Sequence, residues 1–132
     1  MSKPGYILVV DDLPTNRLKI SLVLKQQGYT IAEAESGRRA LEMLRAESFD
    51  LVLLDILMPE MDGYEVLKQM KRDRALRVVP VIVLSALDEM ENVQRSLALG
   101  AEDFLPKSFD PAVLREKVEK CLKKTRQRDQ VS

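Results

Sequence analysis

In the segment Asp50-Leu51-Val52-Leu53-Leu54-Asp55-Ile56-Leu57-Met58-Pro59-Glu60-Met61-Asp62-Gly63, four consecutive apolar residues run into a carboxylate and a helix start follows. A short continuous apolar run bounded by acids suits a strand buried on both faces, here Asp50 to Leu54. Asp62 and Glu65 have the spacing of a capping box, and Met61 and Val66 that of a hydrophobic staple. A helix is therefore predicted over Gly63 to Arg72, with Val66, Leu67 and Met70 on one face.

The same alternation extends in both directions. Further strand-like runs occur at Tyr6 to Val10, Thr30 to Ala34, Val81 to Leu84 and Asp103 to Leu105. Between them lie segments of helical period. Asn16 to Gln27 groups Ile20, Val23, Leu24 and Gln27; Gly37 to Glu47 groups Ala40, Leu41 and Leu44. Glu89 to Leu99 groups Val93, Leu97 and Ala98; Pro111 to Lys124 groups Leu114, Val118, Cys121 and Leu122. Asp110 and Pro111 read as an N-cap and a first helical proline, with Phe109 and Leu114 as a staple. Asp88 and Glu91 have the spacing to cap the fourth helix. Strand and helix in strict alternation predict an α/β fold, a parallel sheet covered on both faces with right-handed crossovers. Residues 1–124 form one domain on this reading, and 125–132 a polar tail or the start of a linker.

Composition narrows the function. A chain of 132 residues, 45% hydrophobic and 32% charged, can bury a real core. Lys plus Arg and Asp plus Glu are 21 each, so no net field draws the chain to nucleic acid or an anionic membrane. There is no histidine, which removes histidine bases, ligands and phosphohistidine from this chain. The single cysteine, Cys121, on the apolar face of the last helix, fits a buried thiol in a reducing compartment. No apolar run approaches membrane-spanning length, and the residues before Tyr6 are too few for a signal-peptide core. A cytoplasmic location is expected.

In an open parallel sheet, sites form beyond the carboxyl ends of the strands. There the sequence puts Asp11 and Asp12, then Asp55, then Ser85, then Lys107. Three carboxylates together need counter-charge. Lys107 supplies one cation, and an all-oxygen site with room for water and phosphate suits Mg²⁺ (or Mn²⁺) as another. Asp55 would then be both ligand and nucleophile, as in aspartyl-phosphate chemistry. Ser85 has a hydroxyl to donate to a phosphoryl oxygen.

Four motifs in order, Ile7 to Asp12, Leu53 to Gly63, Val81 to Ala86 and Gly100 to Lys107, resemble the receiver domain of two-component response regulators over about Tyr6 to Lys124. The resemblance implies a single-domain flavodoxin-like (βα)5 three-layer sandwich whose five-stranded parallel sheet has the order 2-1-3-4-5. It implies that Asp55 is phosphorylated, that Asp12 ligates the metal directly and Asp11 through water, and that the Leu57 backbone carbonyl is a further ligand. It likewise implies that Lys107 pairs with the phosphoryl group, and that Ser85 and Phe104 form the switch acting on the face of helix four, strand five and helix five. The phosphoryl donor is then a phosphohistidine on a sensor histidine kinase or phosphotransfer protein. That face is also a possible homodimer surface.

Three positions depart from the family pattern. Ser108 follows Lys107 where the family has a cis proline, and a cis bond without proline costs roughly 3–4 kcal/mol. Leu57 and Leu87 are apolar where the family can orient the attacking water, so slow self-dephosphorylation is expected. On helix one, Leu18 and Leu22 lie off the core face, and the resemblance implies that they form a docking stripe for a kinase helical bundle. The cations of helix five, Arg115 to Arg128, fit a solvated helix end, with no aromatic residues interleaved for nucleic acid. Among rivals, a dehalogenase-type hydrolase needs an acid at position 57, which is leucine. A flavodoxin needs a Ser/Thr/Gly phosphate cradle after strand one. A non-phosphorylated pseudo-receiver acting as an interaction module is the alternative from a different class.

Overall fold

The computed structural model describes residues 5–86 and 90–131, with residues 90 and 125–131 described by backbone alone. The elements run β1 (Tyr6–Val10), α1 (Pro14–Gln26), β2 (Thr30–Ala34), α2 (Gly37–Ala46), β3 (Leu51–Asp55), α3 (Gly63–Arg72), β4 (Val81–Ser85), α4 (Met90–Ala98), β5 (Asp103–Pro106) and α5 (Pro111–Val131). All strand pairs are parallel, in the order β2-β1-β3-β4-β5. The flavodoxin-like order that the resemblance implies is the one observed.

Side-chain alternation along each strand divides the core in two. Ile7, Val9, Leu51, Leu53, Ile82 and Leu84 face α1 and α5, meeting Ile20, Leu24, Leu114, Val118 and Leu122. Leu8, Val10, Val52, Leu54, Val81 and Val83 face the other way, against Leu41, Leu44, Val66, Leu67 and Met70 of α2 and α3. α4 follows on that second side, with the Arg95 guanidinium 4.1 Å from the Tyr64 ring centre on α3. β1, β3 and β4 are buried almost throughout, so a residue at their carboxyl ends stands on a dry floor.

Local chemistry sets the ends. The Asp62 carboxylate accepts from Glu65 N (3.0 Å), capping α3 as expected. Asp110 Oδ1 accepts from Ala112 N (2.8 Å), and Phe109 and Leu114 are buried in one cluster. Ser36, which the helical period alone did not single out, caps α2 through Arg39 N (3.1 Å). Asp88 and Leu87 lie outside the described residues.

Two helical faces differ from expectation. On α4, Leu97 is 41% exposed and Ala98 is exposed, while Val93 and Ser96 are buried. Ser96 is tolerated there because its hydroxyl donates to Asn92 O (2.8 Å), so the stripe turns one residue away from Leu97. On α1, Gln27 is exposed as the helix C-cap, and Ser21 takes an inward position beside Ile20 and Leu24. The helical backbone of α5 continues past Lys124 through Val131. The Lys107–Ser108 peptide is trans; no cis peptide occurs among the described residues.

The loop from β3 to α3 contains Glu60 at φ 66°, the one non-glycine in the left-handed region among the described residues. A side chain there costs on the order of 1 kcal/mol, and asparagine tolerates the conformation better. Glu60→Asn is expected to raise the free energy of unfolding by about 0.5–1 kcal/mol in urea titrations. A midpoint that stays put or falls contradicts this account of the loop.

Candidate functional site

The carboxyl ends of β1, β3, β4 and β5 open onto one small area. Asp55 is the last residue of β3 and is fully buried. Asp11 follows β1, equally buried, and Asp12 beside it is half-buried. One carboxylate oxygen from each of the three lies within 4.8 Å of the others. Like charges at that spacing repel by on the order of 3 kcal/mol per pair at an effective dielectric of about 20.

One ammonium answers them. Lys107 Nζ lies 3.0 Å from Asp55 Oδ1. Lys107 is aimed by its backbone: its N–H donates to Ser85 O (2.7 Å), tying the end of β4 to that of β5. Asp55 Oδ1 also accepts from Leu57 N at 3.3 Å, whereas the buried Asp55 Oδ2 has no hydrogen-bond partner. Burial pushes the Asp55 carboxyl up to about 7; the Lys107 hydrogen bond opposes this, and the Asp11 charge adds to it. Burial by itself would lower the Lys107 ammonium, but its hydrogen bond to Asp55 and the charges of Asp55, Asp11 and Asp12 prevail and raise it. Both members of the pair thus hold their protons harder than usual. The area carries more negative charge than Lys107 neutralises, and one buried oxygen of Asp55 has no hydrogen-bond partner. That donor set, all oxygen and short of positive charge, fits a hard divalent cation.

The structure brings Asp11, Asp12, Asp55 and Lys107 together. Ser85 ends the neighbouring strand with its side chain buried. Leu57 is the second residue past Asp55, its side chain 52% exposed. Phe104 is not in the cluster. It is half-buried on β5, under the Lys117 ammonium, which sits 4.6 Å from its ring centre and donates to Phe104 O (2.6 Å) and Asp103 Oδ1 (3.1 Å). Sequence reasoning missed Asn16 and Arg17, two polar residues in the first turns of α1. Asn16 Nδ2 donates to Asp11 Oδ2 (3.3 Å) and Arg17 NH1 to Asp11 O (2.6 Å). Their signal was position, five and six residues after the first acid.

The model of the response regulator receiver domain matches residues 7–119. The chain belongs to that family. The rice (Oryza sativa subsp. japonica) two-component response regulator ORR5 is 38% identical over 108 residues, covering 81% of each chain. A probable cyclic di-GMP phosphodiesterase of Vibrio cholerae is 42% identical over 123 residues, 93% of this chain and 28% of its own length. The crystal structure of the receiver domain of a signal transduction histidine kinase from Syntrophus aciditrophicus superposes with a TM-score of 0.83 at 39% identity, covering 90% of each chain. This receiver domain spans about half the length of one rice relative, ORR7 (51%). No helix among its described residues is long and apolar enough to cross a membrane.

The charge excess sets a pH dependence. Unfolded, Asp55 ionises near the ordinary 3.8; folded, near about 7. The folded receiver domain therefore holds the extra proton between those values, and the stability it lends is present at low pH and lost as pH rises through about 7. Asp55→Asn lacks this loss. Without metal, its melting temperature is expected to exceed that of the parent by a margin that grows to roughly 5 °C between about pH 5 and about pH 8. A margin that shrinks with rising pH contradicts the charge-excess reading.

Proposed function

We propose that this receiver domain takes a phosphoryl group onto Asp55 from a phosphohistidine of a sensor histidine kinase or phosphotransfer protein, in a Mg²⁺-dependent reaction that Mn²⁺ also supports. The observation that carries the reading is the Asp55 carboxylate itself: one oxygen held by Lys107, the other buried and unpartnered, beside two further carboxylates. In the transfer, the P–N bond of the donor breaks as a P–O bond to Asp55 forms, and the electron pair returns to the imidazole nitrogen. Asp12 is assigned as the direct metal ligand, Asp11 as the one acting through water, with Asp55 and the Leu57 carbonyl completing the protein's share. The bound cation supplies positive charge for the phosphoryl oxygens.

The chain's own groups do the rest. Lys107 holds the carboxylate in one orientation and is placed to pair with a phosphoryl oxygen. Ser85, buried at the end of β4, donates its hydroxyl to another. That movement and the rotation of Phe104 bias the α4–β5–α5 face between two populations, and the chain catalyses only its own phosphorylation and dephosphorylation. Leu97 and Val113, exposed on α4 and α5, suit that face to a homodimer or a target. Leu18 and Leu22, 56% and 53% exposed on α1, form the proposed docking stripe for the kinase helical bundle. The work is assigned to the cytoplasm.

Acetyl phosphate with Mg²⁺ is expected to label the protein on Asp55, with labelling absent without metal and lost in Asp55→Asn. The acyl phosphate should persist for minutes or longer, because the leucine at 57 orients no attacking water. Labelling of Asp55→Asn at the parental rate removes the assignment, and a lifetime of seconds removes the role given to Leu57. Leu18→Glu is expected to slow phosphotransfer from the cognate kinase by about ten-fold while leaving acetyl phosphate labelling unchanged; an unaltered transfer rate rejects docking at α1.

A further inference from the structure

Every polar group of Asp11 is engaged. Its N–H donates to Ala34 O (3.1 Å), and Oδ1 accepts from Leu13 N (2.9 Å). Oδ2 accepts from Asn16 Nδ2 (3.3 Å), and the carbonyl accepts from Arg17 NH1 (2.6 Å). The partners divide by charge. Both carboxylate oxygens accept hydrogen bonds from neutral donors, while the Arg17 guanidinium is turned to the main-chain carbonyl. The same guanidinium places Nε 3.2 Å from Glu33 Oε1 on β2, which fixes its other end. Arg17 is only 16% exposed and Glu33 39%. A half-exposed ion pair contributes little by itself. A short charge-assisted bond to a buried carbonyl is stronger, and the planar guanidinium serves both acceptors at once.

We propose that Arg17 is a positioning residue for the acidic site: clamped to β2 by Glu33, it fixes the backbone of Asp11 and so holds the Asp11–Asp12 pair at the spacing a divalent cation needs. The inference rests on the metal-binding reading above and extends it to residues outside the acidic cluster. Because the clamp grips the carbonyl, it adds order without neutralising the carboxylates. An arginine turned to those oxygens instead would compete with the metal for the same lone pairs. Asn16 acts on the other end of the residue, steering the Asp11 carboxylate with an amide that carries no charge. Groups that orient metal ligands in this indirect way affect metal affinity by about 10- to 100-fold.

The test is calorimetric titration of the whole protein with MgCl2, with melting temperature measured alongside. Arg17→Ala is expected to weaken Mg²⁺ binding by about ten-fold. Arg17→Lys, which keeps charge but serves one acceptor, should recover part of that loss. Glu33→Ala should weaken binding by about three-fold by freeing the far end of the clamp. A role confined to stability would lower melting temperature and leave the dissociation constant alone. If Arg17→Ala folds and binds Mg²⁺ within two-fold of the parent, the clamp is refuted. Should Arg17→Ala not fold, unchanged affinity in both Arg17→Lys and Glu33→Ala refutes it equally. Failure of the parent protein to bind Mg²⁺ sinks both this inference and the function on which it rests, and is thereby distinguishable.

Discussion

The structure turns on a desolvated carboxylate that one lysine cannot fully satisfy. Asp55 ends a strand whose residues are buried on both faces, so the fold takes the carboxylate out of water before any partner arrives. Lys107 returns one hydrogen bond and one positive charge. Asp11 and Asp12, brought alongside by the central strand pair, return negative charge. A burial penalty of this kind is maintained only where the surrounding structure is stable enough to impose it. Two apolar layers, one under α1 and α5 and one under α2 and α3, provide that stability.

Several local features serve the same end. Gly63 is required less by its backbone angles than by proximity: a Cβ there would stand 2.6 Å from the Asp55 carbonyl oxygen. Its N–H donates to Ile56 O (2.7 Å), closing the loop that carries Leu57 past the carboxylate. Asp62 caps the helix that begins there. The path from site to surface is equally short. The Lys107 backbone is bonded to Ser85, β4 pairs with β5, and the next strand position inward on β5 leads through Leu105 to Phe104 under Lys117.

Much of this was legible in the sequence, because continuous apolar runs and helical periods report burial directly. The strands and helices fell near their predicted positions, and the rule that strand ends gather polar residues assembled Asp11, Asp12, Asp55 and Lys107 without coordinates. What was not legible depended on neighbours. Leu97 shares a helical stripe with Val93 as plausibly as Ser96 does; the hydroxyl bond to Asn92 settles the matter, and no period encodes it. Arg17 reads as an ordinary surface cation until β2 places Glu33 beside it. The raised Asp55 carboxyl depends on burial, which motif spacing does not measure.

On the proposed function, these charges share one cation. The most direct measurement is a magnesium titration followed by backbone amide NMR on the full chain. One saturable site is expected, with shifts concentrated on Asp11, Asp12, Asp55 to Leu57 and Lys107, and absent in Asp55→Asn. Shifts that never saturate, or that spread over exposed acids such as Glu60 and Glu119 while sparing the ends of β1 and β3, would contradict it.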